Sequence, residues 1–252
     1  MIKLGIIGGS GLEKLNLFKD YQKIEVSNKY GSPSSPLISG KINETEIVII
    51  SRHGVNHSIP PTQVNNRANI IALKEAGCTH IIATTACGSL KEEIEPGYMV
   101  VPDQFIDFTR HRAVTFFDKF ENGEINHTQM ADPFDEKLRN LIIKNAKSLG
   151  FNIHNKGTII TIEGPRFSTR AESKMFIQWG ADLINMSTAP EAILANEAGI
   201  PYAAIALSTD YDCWKTDTEA VSWESVLAVF NKNVNNVTQL LLKCIDNINT
   251  IN

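Results

Sequence analysis

The sequence predicts an α/β fold, a buried and partly parallel sheet covered by helices, and three observations carry that prediction. Short β-branched runs alternate with longer helical patterns along 252 residues. Apolar residues in the helical patterns recur at steps of three and four, which gives each helix one face that needs a sheet to cover it. Glycines stand just past three of those patterns, where a left-handed residue closes a helix. In chain order, the strand signals are residues 3–7, 46–51, 80–84, 98–101, 157–161, 182–185 and 202–207. Helical periodicity links Val64, Ala68, Ile71 and Ala72, then Leu138, Leu141, Ile142, Ala146 and Leu149. It returns in Val226, Phe230, Val234, Val237, Leu241, Cys244 and Ile245. Gly77, Gly150 and Gly199 are the expected caps. Thr169-x-x-Glu172 and Thr188-x-x-Glu191 have the spacing of capping boxes and are expected to start two further helices, with Pro190 in the first turn of the second. No Pro/Gly/Ser-rich linker, charge block or repeat divides the chain, so residues 1–252 read as a single domain.

With 42% hydrophobic and 21% charged residues, the chain can bury a full core without disulfide or metal staples. Lys+Arg 24 against Asp+Glu 28 leaves a formal net charge of −4, too balanced for a surface that grips nucleic acid or anionic lipid. Any anionic ligand is therefore held locally. Apolar runs stop well short of the roughly 20 residues that span a bilayer. The first strand signal begins without a charged-then-apolar leader, which makes the cytoplasm the expected compartment. Cys78, Cys87, Cys213 and Cys244 lack CxxC spacing and are expected as reduced thiols.

Gly8-Gly9-Ser10-Gly11 follows the first strand signal directly. Glycines there let main-chain N–H groups approach an anion, and the Ser10 hydroxyl adds a donor. The same residues also fit a tight strand-to-helix turn, since the spacing matches neither the dinucleotide G-x-G-x-x-G nor the Walker lysine loop. Arg52-His53-Gly54 ends a second strand, where a guanidinium suits bidentate phosphate contact or a surface salt bridge. His53 and His57 are four apart, but Gly54 intrudes and no third ligand stands nearby, so no metal site is assigned. Residues 84–90 close a third strand with small and hydroxyl-bearing side chains, which suits an anion cradle or a snug turn. Three such clusters at strand ends favour phosphate or a phosphoryl group.

The second half carries different chemistry in residues 163–168, 185–188 and 208–212. Phe167 can stack on a heteroaromatic face and Met186 can lie against a sugar, although both are also ordinary core residues. Asp210 and Asp212 lie on one side of an extended segment. In one pocket, desolvation and mutual repulsion would raise one pKa and make that carboxyl a proton donor. Solvated loop acids or a helix-start cap are the alternatives.

Taken together, the strings resemble the S-methyl-5′-thioadenosine phosphorylase family, within the trimeric purine nucleoside phosphorylase group. The likeness spans nearly the whole chain and rests on residues 6–12, Arg52-His53-Gly54, Gly77-Cys78-Thr79-His80, residues 84–90, residues 161–168 and residues 209–214. It implies a central mixed, twisted sheet curling toward a barrel and surrounded by helices, assembled as a homotrimer with active sites near subunit interfaces. The implied reaction is phosphorolysis of S-methyl-5′-thioadenosine to adenine and 5-methylthioribose 1-phosphate, in methionine and purine salvage. Inorganic phosphate is a co-substrate, and no cofactor or metal is implied.

By matching positions, Ser10, Arg52, His53, Thr85, Ala86 and Ser187 look like the phosphate site. Met186 looks like the ribose contact, and Phe167, Ser168, Thr209, Asp210 and Asp212 look like the purine pocket. Asp210 and Asp212 are the implied catalytic pair. A protonated Asp210 serves N7 of the leaving base, and the acids favour a 6-aminopurine over a 6-oxopurine. Trp223, Val226 and Leu227 look like the alkylthio pocket, with His127 reaching the same region. Trp223 is bulkier than the small aliphatic residue the family implies, which is expected to shrink that pocket. Ser187 replaces the usual Thr and keeps its hydroxyl. The chain ends shortly after its final helical pattern, so an interface-closing tail like that of longer relatives is expected to be missing. The remaining alternatives are a methylthioinosine or 6-oxopurine nucleoside phosphorylase of the same fold, and a non-catalytic nucleoside-binding protein. A dinucleotide oxidoreductase lacks both its glycine spacing and its ribose acid.

Overall fold

The structure is a computed structural model that describes residues 2–8, 20–120, 123, 125–217 and 221–251. Among them, β1 (Lys3–Gly8) lies between β4 (Thr45–Ser51) and β5 (His80–Ser89) and is parallel to both, with Ile6 opposite Ile49 and Ile82. Unbroken Ile/Val runs suit such strands because helices cover both faces. Ile6, Ile49 and Ile82 share a core with α2 (Glu136–Ser148) and α5 (Trp223–Asn247). Their neighbours Ile7, Ile50 and Ala83 point the other way, into a core built with α1 (Asn66–Glu75) and α4 (Thr188–Glu197).

Antiparallel β2 (Tyr21–Ile24) and β3 (Leu37–Ile42) extend the sheet beyond β4. On the other wing, β10 (Leu183–Asn185), β9 (Thr158–Ile162) and β7 (Gln104–Phe108) follow β5 in that order. β11 (Tyr202–Asp210) pairs with β5 and β6 (Met99–Val100), and β6 pairs in turn with the short β8 (Ile153–His154). α3 (Arg170–Gln178) starts on the capping box expected at Thr169 and Glu172. Gly77, Gly150 and Gly199 follow their helices with positive φ, as expected of left-handed caps. None of the four cysteines is in a disulfide, and no helix among the described residues is long and apolar enough to cross a membrane.

β5 organises everything that follows. Its first half is held between β1 and β11, but β1 ends opposite Ala83. At Gly88 and Ser89 the edge that β1 has left takes up β10, antiparallel. Between these points one edge of β5 has no strand among the described residues, and the sheet opens where its pairing switches, the usual place for a ligand in α/β sheets.

Two expectations are corrected. The small and hydroxyl-bearing residues from Thr84 to Ser89, and Ser208 to Asp210, are not loops after strands; β5 and β11 continue through them. Thr188 and Glu191 do not form a capping box. Ser187 is the N-cap of α4 and makes no side-chain cap bond, because the Ala189 N–H goes to Thr161, Pro190 has no N–H, and the Ser187 hydroxyl meets Thr85 and Asn185; the Glu191 carboxylate is held by Arg52 and Tyr202.

Candidate active site

The opening beside β5 leads into a cleft with a cavity of about 170 Å³, continuous with solvent. At one end it is lined by Arg52, His53, Thr85, Ala86 and Ser187. The Arg52 N–H donates to the Gly8 carbonyl at 3.0 Å, which ties the end of β4 to the end of β1. Its guanidinium is only 2% exposed. Nε and Nη2 donate to the two oxygens of Glu191 at 2.5 and 3.0 Å, and Nη1 donates to the Thr84 carbonyl at 2.9 Å. That carbonyl lies on the stretch of β5 abandoned by β1, so the guanidinium stands in for a strand. The Tyr202 hydroxyl completes the set, donating to Glu191 at 2.9 Å. Burial disfavours the charge on Arg52, but attraction and hydrogen bonds from Glu191 outweigh it and raise the Arg52 pKa. Three of five guanidinium N–H groups are engaged, leaving one on each terminal nitrogen among the described residues.

His53 Nδ1 lies 2.9 Å from the Ile59 carbonyl, which can only accept, so Nδ1 carries the proton. Burial first, and then the adjacent Arg52 charge, lower the His53 pKa to about 4. The ring is neutral at pH 7 and offers Nε2 as an acceptor. Ser187 Oγ stands 3.2 Å from Thr85 Oγ1, and Asn185 steadies both from below: Nδ2 donates to Thr85 Oγ1 at 3.1 Å and Oδ1 accepts from Thr161 at 2.9 Å. The N-terminus of α4 opens behind Ser187 with its positive dipole end; its first N–H groups donate to Asn185 Oδ1 and Thr161 Oγ1, and Pro190 has none.

The other end of the cleft is acidic. Ser208 pairs with Cys87, but Asp210 rather than Thr209 pairs with Gly88. This bulge re-aims the next side chain, and Asp210 lines the cleft together with Asp212 and Thr209. Asp212 adopts a φ of +50°, a left-handed conformation that Asp tolerates. Its N–H donates to Asp210 Oδ1 at 2.8 Å, and the Thr209 hydroxyl donates to Oδ2 at 2.8 Å. These bonds favour the ionised form, yet burial outweighs them and raises the Asp210 pKa. Burial raises Asp212 as well. Ser168, also in the lining, sets its buried hydroxyl beside Asp212, where it favours the ionised carboxyl against the effect of burial.

Between the two ends stand Phe167 and Met186. Met186 packs so closely on Gly164 that a Cβ there would overlap its sulfur, and Gly164 has a φ of +66° besides. Trp223 opens α5 behind a Ser222–Ser225 capping box, with Val226 and Leu227 on the next turn. Its ring lies 5.2 Å from that of His57, which lies 4.5 Å from that of His53, a ladder of rings from the mouth of the cleft to its phosphate-like end. His127 is not brought to the cleft of its own chain; it packs edge-on to Phe120 at 5.7 Å. Ser10 lies outside the described residues. No group of three or more His, Cys, Asp or Glu side chains converges among the described residues. Glu191, Asn185 and Tyr202 support the cradle, a role the sequence pattern does not signal: it offers Glu191 as a capping-box acid, Asn185 within the 185–188 run and Tyr202 as a strand start.

Residues 3–246 match the family described as the phosphorylase superfamily. The chain is 53% identical over 250 residues to an S-methyl-5′-thioadenosine phosphorylase of Xenopus tropicalis, covering 98% of this chain and 89% of the relative. Identity to that of Danio rerio is 51% over 249 residues, with the same coverage. A solved structure of methylthioadenosine phosphorylase from Schistosoma mansoni in complex with adenine superposes with a TM-score of 0.94 at 42% identity, across 99% of this chain and 93% of that one. A mutant of the Schistosoma mansoni enzyme in complex with methylthioadenosine gives a TM-score of 0.94 at 41% identity, across 99% and 92%. With half its residues identical over nearly its full length, the chain belongs to the S-methyl-5′-thioadenosine phosphorylase family of the phosphorylase superfamily.

Proposed function

We propose that this chain catalyses the phosphorolysis of S-methyl-5′-thioadenosine, with inorganic phosphate as co-substrate, to adenine and 5-methylthioribose 1-phosphate. The observation that carries this reading is a single cleft holding Arg52 in an anion cradle at one end and, at the other, the buried Asp212 with the half-buried Asp210 beside it. Phosphorolysis of an N-glycoside needs that arrangement, since phosphate meets the anomeric carbon on one face while the base departs from the other.

As the C–N bond stretches, positive charge grows on the ribosyl ring, and dianionic phosphate stabilises it before forming the C–O bond. The C–N electron pair leaves with adenine, whose N7 takes the proton of Asp210; solvent then reprotonates the carboxyl. Asp212 serves the exocyclic amino group. The two remaining Arg52 N–H groups, the Thr85 and Ser187 hydroxyls, the Ala86 amide and Ser10 hold phosphate oxygens. His53 Nε2 suits the P–OH of monohydrogenphosphate. Met186 contacts the ribose, Phe167 stacks on the base, and Trp223, Val226 and Leu227 enclose a short alkylthio group.

The enzyme is a single domain that works as a homotrimer in the cytoplasm. Phe167 and Trp223 support the assembly, since they are 41% and 43% exposed at the cleft mouth, where a second copy would cover them. The four unpaired cysteines fit a reducing compartment.

Product analysis with methylthioadenosine tests the reading. Adenine release requires phosphate, and methylthioinosine turns over more slowly. Equal release without phosphate would mark a hydrolase, binding without turnover a nucleoside-binding protein, and faster turnover of methylthioinosine a 6-oxopurine site. Gly88 provides a second check. A Cβ there would stand 2.9 Å from Asp210 Oδ1 and 3.0 Å from Ile184 Cγ2. Gly88→Ala is therefore expected to displace the carboxyl and cut kcat by about tenfold or more, with an overpacking cost of about 1–3 kcal/mol in urea unfolding.

A further inference from the structure

We propose that Arg112 is a positioning residue that sets the nucleoside half of the cleft, acting through Glu163 and Met186 without touching substrate. Its side chain is 2% exposed and is absent from the cleft lining. Nε donates to Glu163 Oε1 at 2.8 Å, Nη2 to the Glu163 carbonyl at 2.6 Å, and Nη1 to the Met186 carbonyl at 3.1 Å. The second Glu163 oxygen accepts the N–H groups of Arg110 and His111 at 2.7 and 3.1 Å. Although desolvation opposes it, these bonds and the Arg112 charge hold Glu163 below the usual carboxylate range.

One ion pair thus joins three segments: the chain after β7, the chain after β9 and the end of β10. The latter two build the nucleoside site, since residues 163–168 carry Phe167 and Ser168, and Met186 is the ribose contact. Gly164 seats directly on the Met186 sulfur, so a shift at Glu163 passes to the spacing between base wall and sugar wall. A planar fork holding three oxygens at fixed angles is what arginine supplies and lysine does not. Arg112 hydrogen-bonds to none of the phosphate-end side chains and reaches His53 only as the weakest of the charges that lower its pKa, so its main influence falls on the nucleoside.

The inference rests on the nucleoside reading above, and the test separates the two. Steady-state kinetics with each substrate varied are combined with amide hydrogen exchange, for wild type, Arg112→Met, Arg112→Lys and Glu163→Gln. In Arg112→Met, KM for methylthioadenosine is expected to rise about 10- to 100-fold, with a smaller rise in Arg112→Lys and Glu163→Gln. KM for phosphate stays within about twofold of wild type. Exchange quickens at residues 110–111 and 163–168, while β1 and β4 keep wild-type protection. Equal rises in both KM values, an unchanged nucleoside KM, or faster exchange throughout the chain overturns the proposal. Should Arg112→Met fail to fold, the same split in Glu163→Gln decides. If wild type does not need phosphate, the functional reading falls, and unaltered exchange at residues 163–168 in the variants separately refutes the clamp.

Discussion

Asp210→Ala lowers kcat for adenine release by about 10²–10⁴-fold, the usual worth of general acid help, while KM for phosphate hardly moves. The same substitution raises thermal stability at pH values above the raised Asp210 pKa. Burial raises the Asp210 pKa in the folded chain above its unfolded value, so the folded state binds that proton more tightly. Stability from this group is fully present below the unfolded pKa and is lost as pH rises through the folded one. Above that raised pKa the wild type carries a desolvated carboxylate that alanine removes. Activity and stability therefore change in opposite directions, as expected where a strained group is kept for chemistry. In wild type, kcat declines as pH rises through the same elevated pKa. Melting curves and pH–rate profiles for wild type and Asp210→Ala check both signs. A kcat within about threefold of wild type would remove Asp210 from the chemistry.

Glu191→Ala has the largest expected effect on the fold. It strips both carboxylate oxygens from a guanidinium that is 2% exposed, and leaves the Tyr202 hydroxyl without its acceptor. Removing one partner of a buried pair typically costs about 3–5 kcal/mol, measured as a lower urea midpoint. Arg52 is then free to turn away from the Thr84 carbonyl, and KM for phosphate rises. The double variant Arg52→Met/Glu191→Leu is expected to recover most of the stability, because two apolar side chains leave no uncompensated charge. It recovers none of the phosphate-dependent turnover. A double variant no more stable than Glu191→Ala would show that the pair does not act as a unit.

The central strands were legible because their Ile and Val runs are covered on both faces, and the glycine caps because left-handed φ selects glycine. β2 was not, since all four of its residues are exposed and carry no apolar signature. β3 is interrupted by Gly40, and β8 is two residues long. The endings of β5 and β11 were misjudged for a different reason: threonine, alanine, serine and glycine read as turns, but here they are strand residues kept small to leave room for a ligand. Every described site residue quoted from the sequence reaches the cleft except His127. Their supports were invisible. Thr188 and Glu191 have the spacing of a capping box, and only the approach of β4 reveals that Glu191 belongs to Arg52. Arg112 and Glu163 are 51 positions apart and meet only because β7 lies beside β9.

The guanidinium that takes the place of a missing strand also limits how this enzyme can diversify. A side chain that bridges two strand ends and, on the proposed reading, meets the nucleophile cannot be exchanged to suit a different oxyanion without loosening the framework around it. The mouth of the cleft is under no such constraint. Trp223 sits in the first turn of a helix whose start is secured by its serine neighbours, so new sugar substituents can be explored there at little structural risk. Substitutions that change the sugar's outer end are thus expected to be tolerated more readily than ones that change the inorganic partner.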